Sequence, residues 1–175
     1  MTDHYISRRR RLLWGEVSIM KKVLIASDHA GFDGKEAIKK TLDEMGVEYE
    51  DLGTNSPDSV DYPDYAERVA RGVAGGVAVR GILVCGSGIG MEIAANKIPG
   101  VRAALAWNEE TAELARRHND ANVVAVGCRT TPRETIDRII RAFLTTDFEG
   151  GRHQRRIEKI KKLEEENISS ASGAD

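Results

Sequence analysis

From Lys22 onward the chain alternates short apolar runs with longer segments of helical spacing. Val23-Leu24-Ile25-Ala26 is a compact apolar run closed by Ser27-Asp28, the pattern of a strand buried on both faces. Lys35 to Gly46 carries Ala37, Ile38, Leu42 and Met45 at helical spacing and stops at a glycine. Val47 to Leu52 reads as a second, less apolar strand suited to an edge, and Asn55-Ser56-Pro57-Asp58 as loop. Tyr65 to Val79 predicts a helix with Ala66, Val69, Ala70 and Val73 on one face. Gly81 to Cys85 is a third strand, followed at once by Gly86-Ser87-Gly88-Ile89-Gly90 and a short helix over Met91 to Asn96. Val101 to Ala106 predicts a fourth strand, Glu109 to His118 a helix, and Asn122 to Val126 a fifth strand. A helix follows from near Pro132 to Leu144. Gly150-Gly151 then breaks the chain before a strongly charged helix from His153 to Asn167.

Five strands separated by helices predict the α/β class: a Rossmann-like, open, five-stranded parallel sheet with helices on both faces, plus a C-terminal charged helix. We expect one domain over residues 20–168 and a disordered tail over 169–175, which is small and polar. Residues 1–19 read differently. Arg8 to Arg11 form a basic block before Leu12-Leu13-Trp14, too short an apolar stretch for a secretory signal. Gly15-Glu16-Val17 can be encoded by a purine-rich stretch of the ribosome-binding kind just ahead of Met20, which would make Met20 the physiological start. We therefore expect a non-native or disordered extension rather than a targeting peptide or nucleic-acid arm.

Composition narrows the class. The chain has 175 residues, 41% hydrophobic and 31% charged, as in ordinary globular proteins. With 26 basic and 28 acidic side chains the net charge is -2, which gives no overall field for nucleic acid. No apolar run approaches the roughly 18 residues of a membrane helix. Two cysteines build no disulfide framework, so a reducing cytoplasm is expected.

In open parallel sheets ligands bind beyond the carboxyl ends of the strands. There the sequence places Asp28 and His29 after the first strand, the loop Cys85 to Gly90 after the third, and Arg129 after the fifth. The loop has glycines at 86, 88 and 90, so its backbone can approach a ligand closely, and a helix begins directly behind it. Free N–H groups there favour a phosphate or an oxyanion formed during reaction. The loop lacks the context of a dinucleotide fingerprint and the Gly-Lys-Ser/Thr ending of a nucleotide loop. The plain alternative is a tight turn. Cys85 at the head of the loop suits a base or a nucleophile, against the alternative of a cysteine that merely packs. That packing role is assigned to Cys128.

His29 and His118 fall at element ends, where His118 alternatively caps a helix and Asp28 alternatively caps the one after it. A zinc site from His29, His118 and Cys85 has no recognised ligand spacing, so no metal is expected. Arg152 and Arg156, four apart with Arg155 one step round, suit a phosphate clamp or else a solvated charged face. No aromatic residues interleave these charges, which disfavours a single-stranded nucleic-acid platform.

Several motifs in order carry a family resemblance. Ser27-Asp-His-Ala-Gly31, Asp61-Tyr-Pro-Asp-Tyr65, the Cys85 to Gly90 loop with Ala94-Ala-Asn-Lys97, Arg117-His-Asn-Asp120 and Glu149-Gly-Gly-Arg-His153 together resemble ribose-5-phosphate isomerase of the B type. That family also contains the galactose-6-phosphate isomerase subunits. The resemblance runs from about Lys21 to about Lys162 and implies a cofactor-free, metal-free aldose–ketose isomerase of the pentose phosphate pathway, working through a cis-enediolate. It implies Cys85 as the proton-transfer base, since the position where some members carry glutamate is Met91 here, with Glu92 one residue further. It implies Ser87 as the shuttle between the sugar oxygens, and the backbone of Gly86, Gly88, Ile89 and Gly90 as the enediolate cradle. Ring opening falls to His118 with Asp28, and sugar contacts to Asn119 and Tyr62. Phosphate falls to His29, Arg152 and Arg156, with Arg129 and His153 assisting. The family builds this site across a subunit interface, so a homodimer or tetramer is implied. The rivals are another sugar phosphate as substrate, a non-catalytic sugar-phosphate module on the same fold, and a redox thiol protein, though Cys85 and Cys128 form no C-x-x-C.

Overall fold

The structure is a computed structural model that describes residues 22–172; the expected extension over 1–19 and the last three residues of the chain lie outside it. Five strands, β1 (Val23–Ser27), β2 (Tyr49–Asp51), β3 (Arg80–Cys85), β4 (Ala103–Leu105) and β5 (Val123–Gly127), form one parallel sheet in the order β2-β1-β3-β5-β4. Six helices connect and follow them: α1 (Phe32–Met45), α2 (Tyr62–Ala74), α3 (Ile89–Ala95), α4 (Glu109–Asn119), α5 (Arg133–Thr145) and α6 (Arg152–Ser172). The predicted α/β fold with helices on both faces is the one observed.

Alternation along each strand divides the core into two halves. Ile25, Ile82, Val84, Val124 and Val126 face Ile38 and Leu42 of α1, Ala112 and Ala115 of α4, and Ile136, Ile139, Ile140 and Phe143 of α5. Leu24, Ala26, Leu83, Val123 and Ala125 point the other way, onto Ala66, Val69, Ala70 and Val73 of α2 and Met91 and Ala95 of α3. Register is thereby fixed, because a one-residue slip exchanges the two apolar sets. It aligns Cys85 at the end of β3 with Gly127 at the end of β5.

The largest departures from the sequence reading are at α2 and α6; α1 also begins earlier, at Phe32, and β4 is shorter, Ala103–Leu105. α2 begins at Tyr62, with Pro63 in its first turn, and stops before Gly75-Gly76 rather than at Val79. Proline fits a first turn, where its missing N–H has no intrahelical acceptor, and Gly76 takes a φ of 75°. α6 runs past Asn167 to Ser172, through part of the predicted tail. The hydroxyls of Ser169 and Ser170 donate back to the carbonyls of Glu165 and Glu166, which accommodates serine in that last turn.

Lys35, in the middle of α1, is completely buried, which its polar spacing did not announce. Its ammonium donates to both oxygens of Asp51 at 2.6 and 2.5 Å, tying α1 to the edge strand β2. Burial alone would raise the Asp51 carboxyl, but Lys35, the Gly53 N–H and Lys39 outweigh it and hold the group below the usual carboxylate range. Removing one partner of a buried pair strands the other charge. Asp51→Ala is therefore expected to lose about 3 kcal/mol of stability, read as a shifted urea midpoint. A Lys35→Met/Asp51→Leu double variant is expected to recover most of it.

Candidate active site

The carboxyl ends of β1, β3 and β5 bring together one set of reactive groups. After β1 the chain turns so tightly that a Cβ on Gly31 would lie 2.2 Å from the Val84 carbonyl oxygen. Glycine is required there for close approach. The buried Asp28 carboxylate accepts from the Gly31 N–H at 2.8 Å and so braces this turn, while the N-cap of α1 is Gly31 itself, with no side-chain cap. His29 is fixed by Val60, whose N–H and carbonyl lie 3.2 and 3.3 Å from Nδ1.

After β3 the loop turns back over its own first residue. Gly88, at φ 81°, points its N–H at Cys85 Sγ at 3.1 Å, the contact that supports negative charge on sulfur. Ser87 is exposed, with its hydroxyl oxygen 3.4 Å from the Ile89 N–H. A Cβ on Gly127 would lie 2.5 Å from the Ser87 carbonyl carbon, so the end of β5 is shaped to admit the loop. Arg129 donates its N–H to the Gly86 carbonyl and lays its side chain over Gly86. The Tyr62 ring closes the other side, occupying the space a side chain on Gly90 would need. Cys85, Ser87, Gly86, Gly88, Ile89, Gly90, Asp28, His29, Tyr62 and Arg129 thus share one end of the sheet.

The two thiols part company. Cys85, 5% exposed, packs with the α2–α3 half of the core, whereas Cys128 packs with the other half, against Gly34 of α1. Burial, then the neighbouring acidic groups Cys85, Asp28 and Asp33, push the Cys128 thiol up to about 11. A thiol so held is inert, as its packing role requires. Met91 is fully buried, and Glu92 accepts from the Leu105 N–H at 3.3 Å, which ties its carboxylate to β4.

The remaining candidates lie at the opposite end of the sheet. His118 and Asn119 close α4, and the chain passes from them into the amino end of β5, where the Asn122 carbonyl accepts from Gly81 at the start of β3. β5 spans four rises of about 3.3 Å, so roughly 13 Å separates its two ends, and a pentose phosphate is shorter than that. Arg152, His153 and Arg156 begin α6 on this amino side. The His118 and His153 rings stack, 4.2 Å apart and 6° from parallel. His153 is buried, and its Nε2 accepts from Arg152 Nε at 3.4 Å. Burial, followed by the charges of His118, Arg152 and Arg156, holds this imidazole below its ordinary value. Asn119 accepts from Arg102 through its carbonyl and leaves its side chain exposed. In one chain the predicted site is therefore two half-sites, and a zinc site from His29, Cys85 and His118 does not form.

A different trio does assemble. His118, Glu149 and His153 place one ligand atom each within 4.8 Å of one another. Arg117 grips Glu149, and Arg152 and Arg156 stand beside His153. Three guanidinium groups make this spot one for an anion rather than a cation. Glu149 entered the sequence reading only as part of a motif; an exposed acid before two glycines carries no chemical pattern of its own. A groove of about 700 Å³ between α1 and α5, lined by Lys40, Glu44, Arg133 and Glu134 and reaching Gly34 and Cys128, carries both signs of charge.

The arrangement defines an α/β protein with a three-glycine loop at the carboxyl end of β3 and a thiol at its head. The family model for Ribose/Galactose Isomerase matches residues 23–160. A putative sugar phosphate isomerase of Bacillus subtilis is 49% identical over 84% of this chain and 99% of its own. Ribose-5-phosphate isomerase B of Escherichia coli is 47% identical over 83% of this chain and 98% of its own. The solved type B ribose 5-phosphate isomerase of Trypanosoma brucei superposes with a TM-score of 0.79 at 54% identity, covering 82% of this chain and 99% of that one. The chain belongs to the Ribose/Galactose Isomerase family, and the predicted class, an aldose–ketose isomerase, stands.

Proposed function

We propose that the protein interconverts ribose 5-phosphate and ribulose 5-phosphate through a metal-free cis-enediolate. The observation that carries this reading is the Gly88 N–H aimed at Cys85 Sγ at the head of a three-glycine loop that leads into α3. The Cys85 thiolate takes the C2 proton of the open-chain aldose, negative charge develops on oxygen, and the same sulfur returns the proton at C1. Ser87 carries the hydroxyl proton between O1 and O2. Backbone N–H groups of the loop stabilise the enediolate, a contribution of several kcal/mol in comparable oxyanion holes. His118 opens the furanose ring with Asp28, Asn119 and Tyr62 hold the sugar, and His29, Arg129, Arg152, His153 and Arg156 receive the phosphate. Binding that remote dianion supplies orientation for the reacting end.

Because the two half-sites lie at opposite ends of one sheet, the reading includes a homodimer in which each site takes its loop from one subunit and its His118–Arg152 cluster from the other. Exposed apolar side chains support it. Tyr62, Ile89, Ile93 and Trp107 are 41, 50, 55 and 60% exposed around the loop, and Ile160, Leu163 and Ile168 line α6. A cytoplasmic place in the pentose phosphate pathway goes with this substrate; no helix among the described residues is long and apolar enough to cross a membrane.

The test is proton NMR of ribose 5-phosphate in D₂O with excess chelator. Conversion to ribulose 5-phosphate with deuterium entering at the exchanging carbon supports the enediolate route. No conversion, with turnover of a 6-phosphohexose or a tetrose 4-phosphate instead, replaces the substrate and keeps the chemistry.

A further inference from the structure

Glu149 is held in a way that its exposure alone does not require. Its backbone N–H donates to the Arg117 carbonyl at 3.0 Å, and its Oε1 accepts from the Arg117 guanidinium at 2.6 Å from Nε and 2.5 Å from the terminal nitrogen. One residue thus fixes both the backbone and one carboxylate oxygen. The other oxygen, Oε2, faces the stacked imidazoles, 3.8 Å from His118 Nε2 and 3.7 Å from His153 Nε2.

The two rings stand differently toward it. His153 Nε2 already accepts from Arg152, so that ring is neutral with its proton on Nδ1, and it is buried. It cannot donate to Glu149 from Nε2. His118 is one-third exposed, its ring makes no hydrogen bond among the described residues, and Nε2 can turn a proton toward Oε2. Stacking on His153 fixes the plane of the His118 ring, with Nε2 on the side of Oε2. A carboxylate opposite one imidazole nitrogen sets the tautomer and leaves the other nitrogen as the acceptor.

We propose that Glu149, pinned by Arg117, is a positioning residue for ring opening: it holds the His118 proton on Nε2 and so presents Nδ1 as the nitrogen that takes the anomeric hydroxyl proton. When that proton moves onto Nδ1 the imidazolium is stabilised by Oε2, and the ring returns the proton to the sugar's ring oxygen as the C1–O4 bond breaks. No external reactant is needed. The proposal rests on the reading of His118 as the ring-opening residue.

Ring opening and enolisation can be read separately, because ribulose 5-phosphate has no five-membered ring to open. The aldose needs both steps, whereas exchange of the ketose C1 proton with solvent needs only the loop, its thiol and the bound phosphate. In the full-length protein Glu149→Gln is expected to lower turnover of ribose 5-phosphate about 10- to 100-fold, the range for partners that orient a catalytic imidazole. Deuterium uptake at C1 of ribulose 5-phosphate is expected to stay within about threefold of the parent rate. Arg117→Met, which frees the carboxylate without removing it, is expected to show the same split at smaller size. Equal losses in both assays, or none in the aldose assay, would overturn the proposal. His118→Asn separates this from the underlying reading. If that variant shows the split and Glu149→Gln does not, only the role of Glu149 falls; if His118→Asn turns over the aldose normally, ring opening belongs elsewhere and both fall.

Discussion

Cys85→Ser is expected to lower kcat for ribose 5-phosphate by about 10³-fold or more while leaving the fold intact, since a positioned base typically contributes 10²- to 10⁴-fold. The serine oxygen keeps an acceptor for the Gly88 N–H, so the buried donor at 3.1 Å retains a partner and the loop holds its shape. What is lost is the sulfur proposed to take the carbon-bound proton; an alcohol does so only when a second base activates it, and the nearest carboxylate along the chain, Glu92, is engaged with the Leu105 N–H. Cys85→Ala removes the acceptor as well and is expected to cost an additional 1–3 kcal/mol or so of stability for the orphaned N–H. The serine variant is therefore the cleaner probe. The checks are deuterium uptake at C1 of ribulose 5-phosphate, which must disappear with turnover, and thermal unfolding, which must not move. Retention of a tenth or more of the parent kcat by Cys85→Ser would remove the thiol as the base.

The sheet was legible because buried parallel strands read as unbroken apolar runs: Val23 to Ala26, Ile82 to Val84 and Val123 to Val126 admit no other reading once helical segments separate them. The glycine loop was legible for the same local reason, since close backbone approach restricts the residue type position by position. Three things were not. The burial of Lys35 depends on Asp51, sixteen residues away on the edge strand, and nothing in the polar spacing of α1 reports it. The end of α6 depends on serine hydroxyls bonding backwards along the helix, whereas Ser-Ser-Ala-Ser-Gly composition argues for a tail. Glu149 depends on a contact with Arg117 across thirty-two residues. Non-local charge pairing hid the first and the third; a side chain bonding back to the helix backbone hid the second.

The division of the site was hidden by sequence order as well. Arg129 and His118 are eleven positions apart, yet β5 runs between them and carries them to opposite ends of the sheet. A parallel sheet sorts residues by whether they follow or precede a strand, not by distance along the chain.

That sorting makes a sharper prediction than any single substitution. Cys85→Ser and His118→Asn homodimers are each expected to be inactive, yet mixing them after denaturation and refolding is expected to restore activity. In a mixed dimer one site combines the altered loop of one subunit with the altered histidine of the other. The second site combines the intact loop with the intact histidine and is wild type in every residue. Random reassortment in an isologous pair gives half mixed dimers with one live site each, so activity is expected to return to about a quarter of the parent value. Pairing Cys85→Ser with Arg152→Ala is expected to rescue in the same way, because Arg152 shares the His118 half-site. Pairing it with Ser87→Ala is not, because both defects lie on the same loop and every site then carries one. This pattern follows from which end of the sheet each residue occupies. Absence of rescue with His118→Asn, in refolded samples that form dimers by sedimentation, would mean that one chain completes its own site, which the separation along β5 does not allow without rebuilding α4. Rescue by Ser87→Ala would mean that the loop itself is divided between subunits. Rescue by His118→Asn and Arg152→Ala but not by Ser87→Ala is the outcome that assigns each half of the chemistry to its own subunit.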